Sequence, residues 1–160
     1  MTSATPSAII AAVQLALDQH AQRPGALLPV LHAIQDELGH IPADGVPLIA
    51  SALNLSRAEV HGVVSYYPHF RSAPPGRHVV QVCRAEACQA CGAEALLAQA
   101  ERVLGCERHH TRADGAVTLE PVYCLGLCAS SPAMRIDDRV HARLTPERLE
   151  QLLAALEIQP

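Results

Sequence analysis

Six cysteines occur in this 160-residue chain, and four of them form two short clusters: Cys83-x4-Cys88 and, after 35 intervening residues, Cys124-x3-Cys128. Four thiolates are the donor set of a [2Fe-2S] centre, in which each tetrahedral iron takes two protein sulfurs beside two bridging sulfides. The chemistry such a set would support is one-electron transfer. Gly126 lies inside the second cluster, where glycine can take positive φ and let backbone N–H groups turn toward sulfur.

Other assignments compete for the same cysteines. An all-cysteine zinc site uses C-x2-C or C-x4-C knuckles, but only Cys88 and Cys91 have the shorter spacing and the downstream pair is x3. Cys88-Gln89-Ala90-Cys91 also has the form of a C-x-x-C dithiol, a reading that leaves Cys83, Cys124 and Cys128 without a role. Cys83, Cys88 and Cys91 with Cys124 fall in the spacing class of plant-type ferredoxins, and spacing alone does not separate that set from Cys83, Cys88, Cys124 and Cys128. The glycine-bearing second loop favours the latter, with Cys91 and Cys106 as spare, small buried hydrophobes. For disulfides the context is wrong. Met1 to Ala12 carries no Lys or Arg ahead of its apolar stretch, and no apolar run reaches the ~18 residues of a membrane span. A reducing, cytoplasmic compartment without membrane insertion is expected, where clustered cysteines bind metal or do redox work more often than they crosslink.

Composition narrows the function classes. The net charge is −4 and the pI about 6.1, without the basic footprint of nucleic-acid binding. Tyr66, Tyr67, Phe70 and Tyr123 are the only aromatics, too few for base-stacking platforms. The nine histidines are scattered and read mostly as surface residues, with His109-His110 in a polar connection. Neither a Gly-x-Gly-x-x-Gly nor a P-loop pattern is present, so hydride chemistry must reside in another chain.

Four short helices are predicted over residues 1–72. The first opens with Thr5 and Pro6, the second carries Leu27 to Leu38 and stops at Gly39, and the third carries Pro47 to Leu53. The fourth opens with the capping box Ser56-x-x-Glu59. A helix-turn-helix reading of the last two fails on charge, since only Arg57 and His61 could contact phosphate or base. Ser72-Ala73-Pro74-Pro75-Gly76 interrupts both helix and strand and marks a domain boundary, giving 1–72 and 73–160. Beyond it are predicted a strand His78 to Val82 delivering Cys83, a loop with Cys88, and a helix from Ala93. A turn at Asp114-Gly115, a strand Val117 to Val122, and a hairpin around Asp137-Asp138 follow, before a final helix capped by Thr145. That order describes an α/β chain: a small helical bundle, then a thioredoxin-like domain with both cysteine clusters on loops after strands.

Three ordered motifs then carry a family likeness: Val60-His61-Gly62-Val63-Val64-Ser65-Tyr66-Tyr67-x-x-Phe70; Val82-Cys83-x4-Cys88; and Cys124-Leu125-Gly126-x-Cys128 with Ser131-Pro132 behind. Nearly the whole chain resembles the 24 kDa-type [2Fe-2S] subunit of NADH:quinone oxidoreductase. Within that family, Cys83-Arg84-Ala85-Glu86-Ala87-Cys88-Gln89 looks most like the gamma subunit of cytosolic, NAD-dependent, molybdenum-containing formate dehydrogenases. The resemblance implies one [2Fe-2S] cluster on Cys83, Cys88, Cys124 and Cys128. It also implies a beta subunit that binds FMN and NAD, and an alpha subunit that holds the molybdenum cofactor. The chain would exchange single electrons with the FMN and have no turnover alone; NAD-linked hydrogenase and respiratory NADH dehydrogenase are the sister readings, and a zinc-stabilised interaction module is the alternative from another class. Arg84 would raise the cluster potential and Glu86 oppose it. Tyr66, Tyr67 or Phe70 would lie partly at a partner interface.

Overall fold

The computed structural model describes residues 5–156. The chain divides between Pro74 and Pro75 into two compact units, and each has its own hydrophobic cluster.

The first unit is four helices: α1 (Pro6–His20), α2 (Leu27–Leu38), α3 (Gly45–Ala52) and α4 (Arg57–Tyr66). Their ends follow from local chemistry. Thr5 Oγ1 accepts from the Ala8 N–H at 3.3 Å, Gly39 stops α2 at φ +77°, and Ser56 and Glu59 close a reciprocal capping box at 3.1 and 2.7 Å. Helix α3 begins at Gly45, ahead of the expected Pro47; a Cβ at Gly45 would stand 3.4 Å from Val13 Cγ2, so the small residue suits the close approach of α1. Val13, Val30, Leu31, Ile34, Ile49 and Val60 fill the centre. The buried Gln35 then pins the segment after α4, donating to His69 O at 2.8 Å and accepting from Arg71 N at 2.7 Å. Phe70 belongs to this core and is not at the surface, whereas Tyr66 and Tyr67 are 78% and 41% exposed. His40 departs from the surface expectation too: it is buried, with Nδ1 3.1 Å from Leu38 O.

The second unit is a mixed five-stranded sheet in the order β2-β3-β1-β4-β5. Its strands are β1 (His78–Cys83), β2 (His110–Thr111), β3 (Val117–Val122), β4 (Met134–Ile136) and β5 (Arg139–His141). Strands β1 and β3 are parallel, so a crossover must join them. It is made by α5 (Glu86–Ala90) and α6 (Ala93–Leu104). The terminal α7 (Pro146–Ala154) packs on α6, and Thr145 caps it by accepting from Arg148 N at 3.2 Å. Alternate residues Val80, Val82, Val117, Leu119, Met134 and Ile136 meet Leu97, Leu104, Leu149 and Leu153 in one apolar layer, so both helices cover one sheet face. The other face is polar, with Gln81 Nε2 donating to Glu120 Oε2 at 2.7 Å. Pro121 in β3 costs no ladder bond, because its position faces the β2 side beyond the end of that two-residue strand.

Two local expectations are corrected. Cys88 stands on the short helix α5 and not on a loop. His110 is part of β2, paired antiparallel with β3, and not of an irregular connection. The hairpin expected around Asp137-Asp138 is there, with Met134–Ile136 paired to Arg139–His141 and the tight turn made at Asp137, φ +51°. The α/β class, with helices and a sheet of thioredoxin-like kind, is as expected.

Candidate metal centre

Parallel register brings the two cysteine clusters together. Cys83 closes β1 opposite Val122, the last residue of β3, so Cys83 and Cys124 leave the sheet at the same end two residues out of step. Backbone bonds lock that end: Cys83 N donates to Ala133 O at 3.0 Å and Arg84 N to Val122 O at 2.8 Å. Cys88, on α5, returns to the same place, and Cys83, Cys88, Ala93 and Ala133 are buried together with Ala85, Val122, Leu125 and Leu127 around them. Small alanines leave room beside sulfur without admitting water to the inner pair.

The four sulfurs form an inner and an outer pair. Cys83 and Cys88 are each 2% exposed, while Cys124 and Cys128 are open to solvent. In the outer pair the sulfurs are 3.8 Å apart, the edge of a tetrahedron built on metal–thiolate bonds of about 2.3 Å. Cys124 is held at φ +138°, a backbone state that costs a non-glycine residue about 1–3 kcal/mol and gathers at functional sites. Gly126, at φ +75°, turns its N–H onto Cys124 Sγ at 3.3 Å. This is the role its position in the sequence suggested. Among the described residues no three Cys, His, Asp or Glu side chains close on a single metal ion.

The thiols respond to each other. Burial pushes the Cys83 thiol up, against the amides of Ala85 and Leu125 that favour its thiolate. Cys88 suffers burial as well, but the Ser131 hydroxyl, the Cys83 thiol and the Ala133 amide outweigh it and bring Cys88 below the ordinary thiol value. Ser131 Oγ lies 3.4 Å from Cys88 Sγ and 2.9 Å from Cys128 O, and its one proton serves one of them at a time, so it links inner and outer pairs. It is a site residue that sequence reading treated only as part of a motif. Cys128 is raised, first by its neighbour Cys124.

Two cysteines lie apart. Cys91 was expected as a buried small residue; it is exposed, because α5 ends there and Gly92 turns the chain at φ +88°. Cys106 is buried as expected, its thiol donating to His110 O at 3.2 Å.

The site and the sheet beneath it define a class: a thioredoxin-like [2Fe-2S] electron-transfer protein. The family model described as thioredoxin-like [2Fe-2S] ferredoxin matches residues 13–157, and the chain belongs to that family. It is 36% identical over 141 residues, 88% of this chain and 84% of its relative, to a component of the NADH-quinone oxidoreductase of Rhizobium meliloti (strain 1021). Over 133 residues, covering 83% of this chain and 78% of the relative, it is 29% identical to the HndA component of the NADP-reducing hydrogenase of Solidesulfovibrio fructosivorans. Among solved structures, an NAD+-reducing [NiFe]-hydrogenase in the H2-reduced state superposes with a TM-score of 0.67 at 25% identity over 84% of this chain. This chain spans only 22% of that hydrogenase chain. Among the described residues no helix is long and apolar enough to cross a membrane.

Proposed function

We propose that Cys83 and Cys88 hold one iron and Cys124 and Cys128 the other, and that the chain is the [2Fe-2S] relay subunit of a cytoplasmic, NAD-linked oxidoreductase complex. The observation that carries this reading is the arrival of two thiol pairs, one buried and one exposed, at one end of the parallel pair β1/β3. When bound, the cluster supplies one-electron redox chemistry, whereas NAD takes a hydride, so a flavin on another subunit must convert between the two. The chain's own residues fix the ligands, keep water from Cys83 and Cys88, and aim the amides of Ala85, Leu125 and Gly126 at sulfur. Those amides favour the more negative reduced state. The exposed Cys124–Cys128 side is the short way to a partner.

The partner would be the FMN- and NAD-binding beta subunit, with a molybdenum-containing alpha subunit that oxidises formate. The residues between Cys83 and Cys88 support that member of the family. A second reading is favoured by the relatives themselves, which are subunits of NADH-quinone oxidoreductase and of an NADP-reducing hydrogenase. Affinity purification of the tagged chain from its host separates them: molybdenum with formate-dependent NAD reduction supports the first, and nickel or quinone reductase activity rejects it for the second.

The ligand set has its own test. The anaerobically purified chain should give an electron paramagnetic resonance signal only after dithionite, with two irons and two sulfides per chain. Cys128→Ser should alter or abolish that signal, and Cys91→Ser should leave it unchanged. The reverse result would install the Cys91 set, and a silent, colourless, zinc-containing sample would leave an interaction module.

A further inference from the structure

Arg84 directly follows the first ligand, and its side chain does not point freely into solvent. Its Nε and Nη2 both lie 2.7 Å from Glu94 Oε1, in the first turn of α6. Its guanidinium carbon stands 6.0 Å from the centroid of Tyr123, the residue before Cys124, within cation–π range. One side chain thus joins the Cys83 loop, the Cys124 loop and the start of α6. Glu94 is itself held from behind, its Oε2 being 3.6 Å from Arg108 Nη1. Arg108 in turn grips Glu101 through Nε and Nη2, each at 2.9 Å. The row Arg84–Glu94–Arg108–Glu101 alternates in sign and sums to zero.

A lone pair of exposed charges would contribute little. Here the Arg84 side chain is 27% exposed, and its backbone N–H is fixed to Val122 O at 2.8 Å, so the position of its charge is defined beside the ligands. We propose that Glu94 is a positioning residue of the metal centre: it holds Arg84 on Tyr123, clamps the two ligand loops together, and offsets the Arg84 charge so that the midpoint potential is set by a neutral pair. This rests on the [2Fe-2S] reading above.

The physical sign is definite. Reduction adds negative charge to the cluster, so an uncompensated Arg84 raises the potential and an uncompensated Glu94 lowers it. The experiment is a redox titration of the full chain, followed by electron paramagnetic resonance, on wild type, Glu94→Gln, Arg84→Gln and the double variant, with cluster loss to a chelator timed in parallel. Glu94→Gln should shift the midpoint upward and Arg84→Gln downward. The double variant should return near the wild-type midpoint, and all three should lose the cluster about tenfold faster. Midpoints that stay put or move the same way in both single variants would overturn the proposal, since a merely structural staple changes retention without opposite shifts. If a single variant does not load, the double variant decides: a near wild-type potential supports the neutral pair and a displaced one rejects it. Absence of any signal from wild type would instead sink the [2Fe-2S] reading itself.

Discussion

At the scale of single residues, two glycines make opposite demands. Gly76 N–H donates to Thr118 Oγ1 at 2.7 Å, and a Cβ there would come within 2.8 Å of the Val117 backbone. Backbone cannot yield as a flexible side chain does, so Gly76→Ala should cost about 1–3 kcal/mol. Gly62, inside α4, is exposed, and a Cβ there meets nothing within 4 Å. Gly62→Ala should therefore stabilise the chain by about 0.5–1 kcal/mol through helix propensity and unfolded-state entropy. Urea titration of both variants checks the pair; equal effects of one sign would refute the packing assigned to one of them. Neither role was legible in the sequence, where Gly76 read only as a breaker and Gly62 only as a motif letter, since the nearest atoms are set by other strands and helices.

At the scale of elements, α6 is tied to the turn that follows it. Glu101 accepts from the Arg108 N–H at 3.1 Å and from its guanidinium, and these bonds hold its carboxyl down to about 2. The unfolded carboxyl titrates at about 4.3. Because the folded value is the lower, the bond stabilises the fold fully above that unfolded value and is lost as pH falls from about 4.3 toward 2. The pair is near the surface, so at most about 1 kcal/mol is at stake. Glu101→Gln should flatten the stability profile in that acid window and leave it unchanged in slope near pH 7, as thermal unfolding across pH would show. The element order was largely readable, because helix periodicity, caps and turn residues act locally. Helix α5 and strand β2 were not, being five and two residues long and stabilised by neighbours more than by their own sequence.

At the scale of the whole molecule, two hydrophobic clusters on either side of Pro74–Pro75 share no residue. All four proposed ligands, with Ser131, Arg84 and Glu94, lie in the second unit. A fragment of residues 75–160 should consequently assemble the centre and reproduce the reduced-state spectrum of the full chain. A fragment that folds by circular dichroism but binds no iron would show that the helical unit contributes to the site.

By itself the sequence determined the supply and spacing of thiols, the helix caps and the likeness to a [2Fe-2S] family, because residue spacing and capping bonds act within a few residues. Only the tertiary structure decided which thiols are buried, that Cys91 faces solvent, that Ser131 bridges the two pairs, and that Arg84 meets Glu94 and Tyr123. Those facts depend on the parallel register of β1 and β3, a pairing between residues some forty positions apart that no local pattern encodes.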